Sequence, residues 1–376
     1  MTPFLKLVAD DLYEKLGGNF QDTCIIFPNK RASLFFNEYL WSNSEGKTMW
    51  TPEYTSISEL FAGLSELTVG DPIYLVIKLW EVYKEKMQPT KTLDQLYSLM
   101  ETMLSDFQDI DNNLVEPSKL FLNIADLKEM TDFSFLEEEQ RKAIEQFFGQ
   151  STHWATSDAQ SETPLKSHFI TLWNRLTDIY ETYQKALLIT EEEPMVYEGM
   201  LKRRVIEMLT GKDEEARKRA DERLTAKTYV MVGFNVLNKT ELELFRYIKQ
   251  HRDTKFYWDY DTAYTTSHQP STIQTKYEAG QFILENIRVL GNEFAGRDFF
   301  NNMKKPKEIT FIQSPTENAQ TRYIDEWIKS QQSAANSQLS TLNSQLPNGE
   351  TRPSSSATRT SCNPCCTASA RWMPST

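Results

Sequence analysis

An α/β protein with a parallel sheet and a large all-helical insertion is the fold class this sequence predicts. Three observations predict it. Two short uninterrupted apolar runs, Thr23–Phe27 and Thr228–Val232, have the length and composition of strands covered on both faces. Each is followed by a polar break and then by apolar residues at helical spacing, which is the strand–loop–helix unit of parallel sheets. Between them, about 150 residues show helical periodicity and no clear strand.

The elements follow in order. Residues 3–17 read as a helix, because Phe4, Leu5, Val8, Leu12 and Leu16 recur at helical spacing and Gly17-Gly18 ends the run. Pro28-Asn29 breaks the first strand. Residues 31–41 resume a helical period, with Leu34, Phe35, Tyr39 and Leu40 as the apolar set. Residues 52–66 read as a short extended piece and a helix capped at Ser56 or Ser58. Asp71-Pro72 starts a helix with proline in its first turn, and its apolar set is Ile73, Val76, Ile77, Trp80, Val82 and Tyr83. Helical patterns continue over 93–107, 117–124, 136–148, 169–188 and 194–209, with a polar loop over 151–164.

Residues 212–223 carry dense charge of both signs and read as a solvated helix face. After the second strand, Gly233-Phe234-Asn235 reads as a turn with glycine at positive φ and an asparagine cap. A helix over 239–248 carries Leu242, Leu244, Phe245 and Ile248. A third strand covers 255–258 and ends in Asp259-Tyr260-Asp261. A fourth strand over 308–312 and a helix after Thr316 begin one further unit. Beyond Ser330 the chain is rich in Gln, Ser, Ala, Asn and Thr and lacks the apolar content for a core, so residues 331–376 read as a disordered tail.

Composition narrows the function classes. The 376 residues are 39% hydrophobic and 12% aromatic, enough to build cores. A mean hydropathy of −0.55 and the lack of any long apolar run predict no membrane span. The N-terminus has no basic stretch followed by an apolar one, so no signal peptide is expected and a cytoplasmic location is. A net charge of −12 argues against gripping duplex DNA over the whole surface, but leaves room for a local basic strip or a basic protein partner.

The run Ile25-Ile26-Phe27-Pro28-Asn29-Lys30-Arg31-Ala32-Ser33-Leu34-Phe35-Phe36-Asn37-Glu38-Tyr39-Leu40 resembles the opening of AddB-type proteins. These are the helicase-like nuclease subunits of the AddAB and RecBCD class, within the PD-(D/E)XK nuclease family. Val232-Gly233-Phe234-Asn235 with Glu241 and Phe245, and then Phe256-Tyr257-Trp258-Asp259-Tyr260-Asp261, resemble a later part of the same family in the same order. The resemblance covers roughly residues 3–328. It implies a P-loop NTPase-like, inactivated helicase-like domain over 1–68 and 222–305. The helical insertion would then be 69–221, and 306–330 would start a second, truncated α/β domain.

The same resemblance places Asn29, Lys30 and Arg31 where superfamily 1 helicases touch single-stranded DNA. Donors at the start of a helix suit an anion in the favourable field of the dipole. The bland alternative is a solvated loop with a capping Asn29. The implied function is the N-terminal, non-catalytic portion of a DNA-repair helicase–nuclease, with single-stranded DNA and a helicase subunit as partners. The alternative is an acidic helical interaction module that docks such a subunit without touching DNA.

Other motifs fail on spacing. Gly46-Lys47-Thr48 ends like a phosphate-binding loop, but the first glycine would fall at Trp41 and the segment follows a helix. No acid-x-Lys pair lies on plausible strands, so magnesium is expected only for a nuclease domain that this chain does not reach, and no cofactor or metal is expected here. Gly233 and Asn235 stand where a helicase carries acidic metal ligands. Asp259 and Asp261 at a strand end form a candidate two-carboxylate metal site, with capping as the simpler reading. His153, His168, His251 and His268 show no metal or triad spacing. Cys362, Cys365 and Cys366 lack a nearby His and make a poor zinc pattern. Residues 351–376 hold three arginines and no acid. With chosen codons a shifted frame over 352–366 reads as a strand and helix of the same family, so a reading-frame error is a further expectation, decided by sequencing the gene.

Overall fold

The computed structural model describes residues 2–120, 164–189, 194–265, 278–297, 300–307, 309, 311 and 313–344. The chain divides into two units, Met1–Lys305 and Pro306–Thr376.

The first unit is an α/β fold on a four-stranded parallel sheet. Helix α1 (Phe4–Leu16) ends at Gly17, whose φ of +60° is a left-handed stop. Strand β1 (Thr23–Phe27) leads to α2 (Arg31–Asn43), then β2 (Glu53–Ser56) and α3 (Ile57–Leu64). Long after, β5 (Thr228–Val232), α9 (Lys239–His251) and β6 (Asp253–Tyr257) complete the sheet. Its order is β2-β1-β5-β6, so the chain leaves β1 toward one edge and returns on the other side. Cys24 aligns with Tyr229, Ile25 with Val230 and Met231 with Phe256.

This register sorts side chains onto two faces. Ile25, Phe27, Val230, Val232 and Tyr257 pack with Val8 and Leu12 of α1 and Phe36 and Leu40 of α2. Cys24, Ile26, Met231 and Phe256 face Phe61 of α3 and Leu244, Phe245 and Ile248 of α9. Both faces are covered, as continuous apolar strands require.

Between α3 and β5 lie β3 (Thr68–Val69), α4 (Pro72–Met87), α5 (Leu93–Asn112), α6 (Pro164–Leu188), β4 (Met195–Val196), α7 (Glu198–Thr210) and α8 (Glu214–Glu222). Asp71 caps α4, its Oδ1 accepting from the backbone N–H of Ile73 at 2.8 Å. These helices share one core with the second sheet face, through Tyr83, Phe107, Tyr183, Tyr197 and Val205. After β6 come α10 (Thr262–Thr265) and α11 (Glu278–Leu290).

Several expectations are corrected. The helical stretch is interrupted by β3 and β4, which pair in parallel as Thr68 with Met195 and Val69 with Val196. The helix expected from Pro194 begins only at Glu198, because Pro194 to Tyr197 is extended into that pairing. Two-residue strands carry too few residues for an apolar run to reveal them. On α2 the core side is Phe36 and Leu40, while Leu34 is 72% exposed. On α4 the core takes Leu75, Val76, Leu79, Val82 and Tyr83, while Ile73 and Ile77 are exposed. Both helices carry apolar residues on more than one arc, so spacing alone left their phase ambiguous. The expected third strand is β6, two residues earlier than its apolar run.

The helix expected over 117–124 begins at 117, and only its first four residues are described. The expected helix over 136–148 and nearly all of the 151–164 loop lie outside the described residues. In the second unit, Ile309 and Phe311 form no strand and are exposed. The helix after Thr316 is α12 (Glu317–Ser344), which runs well past Ser330 into the segment expected to be structureless. Residues 331–344 lack Gly and Pro, so nothing local stops a helix there. Residues 345–376, with the clustered cysteines and the frame-shift expectation, lie outside the described residues. No helix among the described residues is long and apolar enough to cross a membrane.

Candidate nucleic-acid interface

In an open parallel sheet, ligands meet the carboxyl ends of the strands where the strand order reverses. Here that place is between β1 and β5, flanked by the starts of α2, α3, α7 and α9. Asn29, Lys30 and Arg31 are all exposed there. Asn29 Oδ1 accepts from the backbone N–H of Ala32 at 3.3 Å, so this side chain caps α2. Ser33 Oγ donates to the Lys30 carbonyl at 2.7 Å and tightens the same turn. Lys30 Nζ is ion-paired to Glu59. Arg31, the first residue of α2, makes no ion pair among the described residues.

Glu59 belongs to a capping box at the start of α3. Its carboxylate accepts from Ser56 N–H at 3.1 Å and Ser56 Oγ accepts from Glu59 N–H at 3.3 Å. The Lys30 ammonium, with the Ser56 N–H, holds the Glu59 carboxyl below the usual carboxylate range. Phe27, Lys30, Ser33, Tyr54, Thr55 and Glu59 surround a depression of about 180 Å3.

A second ionic group lies beside it. Lys202 of α7 has a side chain only 7% exposed and bonds Glu198 at 3.0 Å and Glu241 at 3.2 Å. Its ammonium stands 5.6 Å from the centre of the Phe61 ring. Glu198 also accepts from Ser58 Oγ at 2.6 Å. Burial works to raise the Glu198 carboxyl, and Ser58 and Lys202 outweigh it, leaving it below its ordinary range. Glu241 closes the capping box of α9 with Asn238, whose Oδ1 accepts from Glu241 N–H at 2.9 Å.

Helix starts attract anions. At α3, α7 and α9 that demand is met by the chain's own Glu59, Glu198 and Glu241. Helix α2 carries no acid in its first turn, and its only capping side chain is the neutral Asn29. Asp71 and Asp261 likewise cap the helices after β3 and β6, so among the described helices that follow a strand, α2 is the one whose start holds no carboxylate.

The remaining candidates have structural duties. Gly233 has φ of +76° and its N–H donates to the Tyr257 carbonyl at 3.0 Å, so it makes the tight exit from β5. Asn235 is not the cap that was expected. The cap is Asn238, and the Asn235 carbonyl accepts from Asn286 Nδ2 at 2.7 Å. Asp261 uses Oδ1 for Ala263 N–H at 2.9 Å and Oδ2 for Met303 N–H at 2.8 Å, while Asp259 is exposed. Among the described residues no group of His, Cys, Asp and Glu gathers as a metal site. His251 stacks on Tyr247 with ring centres 4.1 Å apart. His153 and His268 lie outside the described residues, as does the side chain of His168. Cys24 is buried, and desolvation pushes its thiol up to about 12, so it is an inert part of the core.

Sequence reading missed Glu59, Glu198 and Lys202, and it named Glu241 only within a motif, without its cap or its bond to Lys202. Ser56-Ile57-Ser58-Glu59 and Asn238-Lys239-Thr240-Glu241 are readable as capping boxes. The Glu198–Lys202 pair has readable i, i+4 spacing, but the burial of Lys202 has no local signal, since Glu241 comes from α9 and Phe61 from α3. No protein-family model and no curated protein matches the chain.

Proposed function

We propose that this chain is the N-terminal, non-catalytic, helicase-like portion of an AddB-type DNA-repair helicase–nuclease, and that it contacts single-stranded DNA at the start of α2. The observation that carries the reading is Arg31, an exposed guanidinium without an ion pair among the described residues, at the one described strand-following helix start that lacks a carboxylate of its own. The parallel sheet with a long helical insertion between β2 and β5 agrees with the architecture the resemblance implies. Among the described residues, the neighbouring helix starts at α3, α7 and α9 are filled by glutamates, which disfavours a cradle for a nucleotide phosphate there. Lys30 shares its charge with Glu59 and is the weaker contact of the two.

Fluorescence anisotropy with a labelled oligo-dT, read at several salt concentrations, tests this. Arg31→Ala weakens binding and lowers the salt slope by about one unit of charge. Glu59→Gln frees Lys30 and strengthens binding at low salt. Unchanged affinity in the Lys30→Ala, Arg31→Ala double variant would remove the site.

A second reading is favoured by one observation. On α4, Ile73 and Ile77 lie one turn apart and both are exposed, with Val69 of β3 exposed just before them. Such a stripe suits the helix of a partner helicase subunit. Co-purification with neighbouring gene products that is lost in Ile73→Lys, Ile77→Lys, with oligo-dT binding absent throughout, would put this reading first.

A further inference from the structure

The rejected phosphate-loop decoy, Gly46-Lys47-Thr48, lines a pocket that the contacts above do not use. The pocket has a volume of about 240 Å3 and is formed by the last turns of α2 and the loop leading to β2. Trp41 stands at its rim and is 63% exposed. Lys47 is exposed and makes no ion pair among the described residues. Buried Leu40 and half-buried Met49 supply apolar wall. Asn37 and Thr48 supply polar edge groups, and Asn37 Oδ1 already accepts from Tyr54 Oη at 3.1 Å, which fixes the amide and leaves its Nδ2 to donate. The loop is shaped by left-handed Glu45 and Gly46, at φ of +51° and +81°, and by Lys47 N–H donating to the Ser44 carbonyl at 2.9 Å.

These groups select for a ligand. The volume lies below the roughly 300–1,000 Å3 of pockets for drug-sized molecules, so the occupant is a fragment of something larger. An open indole face takes a flat ring, a free ammonium takes a phosphate, and an amide with a hydroxyl reads a polar ring edge. A nucleotide within a single strand has all three features. The pocket also lies along the same helix as Arg31. Ten residues of helix separate Arg31 from Trp41, a rise of about 15 Å, which several nucleotides of a single strand span.

We propose that this pocket is a base-stacking subsite for single-stranded nucleic acid, with Trp41 as the platform and Lys47 as the contact to a flanking phosphate. The assignment rests on the preceding reading, that the start of α2 meets single-stranded DNA, and extends the path along α2. Glu38 and Glu45 are exposed in the same stretch, so the subsite gains from stacking more than from charge.

The test uses the full chain, oligo-dT of increasing length, and anisotropy read against salt. Trp41→Ala weakens the longer oligomers about tenfold, leaves the shortest little changed, and keeps the salt slope. Trp41→Phe retains most of the affinity, because a ring remains. Lys47→Ala lowers the salt slope. Trp41 is exposed, so the melting temperature of the variants checks that the fold is intact. If Trp41→Ala binds like the parent at every length while Arg31→Ala is weakened, the subsite is wrong and the reading of α2 stands. If the parent binds no oligomer, the reading of α2 and the subsite both fail. If Lys30→Ala with Arg31→Ala changes nothing, the reading of α2 fails, and the subsite survives only if Trp41→Ala still weakens binding.

Discussion

Two buried aspartates show how one residue type is held in opposite ways. Asp11 of α1 accepts from Tyr257 Oη at 2.6 Å, from Lys15 Nζ at 2.8 Å and from Arg297 Nη2 at 2.7 Å. Burial works to raise its carboxyl, and these donors outweigh it, so it sits below the ordinary range. Asp111 of α5, fully buried, accepts from Tyr180, Tyr197, Gln184 and Arg203, yet desolvation wins and its carboxyl sits above the ordinary range. The signs of the pH dependence therefore differ. The Asp11 contribution is present above the ordinary carboxylate range and is lost as pH falls through its depressed value. The Asp111 contribution is present below that range and is lost as pH rises through its raised value. Urea unfolding between about pH 2 and about pH 8 reads both, and Asp11→Asn costs about 2 kcal/mol near neutrality and less in acid. Asp111→Asn shows the reverse trend, costing less near neutrality than in acid. Neither role was legible in the sequence, because Tyr257 and Arg297 lie more than two hundred residues from Asp11. What spacing revealed was the apolar face of α1, with Val8 and Leu12 on it, and an acid at that face carries no mark of its partners.

At the scale of elements, strands were the most legible part. Thr23–Phe27 and Thr228–Val232 are strands over the same residues as their apolar runs. A strand buried on both faces needs every residue apolar, and that leaves little freedom in its bounds. Helices announced their presence but not their phase, as Leu34 and Ile73 show, since an exposed apolar residue reads like a buried one. Caps were legible where a side chain of the right type stood just before the helix, as at Asp71 and Ser56. At α9 the sequence offers Asn235 as a cap, and the cap is Asn238. Asn238→Ala removes the bond to Glu241 N–H and loosens Glu241, which also holds Lys202. The variant loses about 1 kcal/mol, or somewhat more through the neighbouring ion pair, measured by chemical unfolding. Asn235→Ala, by the same measurement, changes little, because only its carbonyl is used. The polar turn that starts α2 was legible at Asn29, Lys30 and Arg31. The Glu59 that answers Lys30 comes from another helix and was not.

At the scale of the whole first unit, the insertion and the sheet are one structure. The second sheet face packs on α3 and α9 and shares its core with Phe107, Tyr183 and Val205. The sequence showed an α/β part and a helical part, because periodicity changes near residues 71 and 228. It did not show that they bury each other, which depends on contacts between α5, α7 and α9. Replacing residues 71–209 by a short flexible linker is therefore expected to leave the sheet with an uncovered apolar face. Near-UV circular dichroism should be lost and a dye for exposed apolar surface should bind. A sharp, cooperative unfolding transition in that variant would show the sheet to be self-sufficient.

The strand order carries a consequence for how the chain is made. Strand β1 has β2 on one side and β5 on the other, and β5 lies roughly 200 residues further along the chain. At roughly 5–20 residues per second, a ribosome needs on the order of 10–40 s to deliver it. Through that interval the newly made Cys24-Ile25-Ile26-Phe27 has one edge without its neighbour, while α1 and α2 are already present to shield one of its faces. Synthesis speed across the helical segment thus sets how long a sticky strand waits, and a slowed ribosome or a scarcity of chaperones would be felt there first.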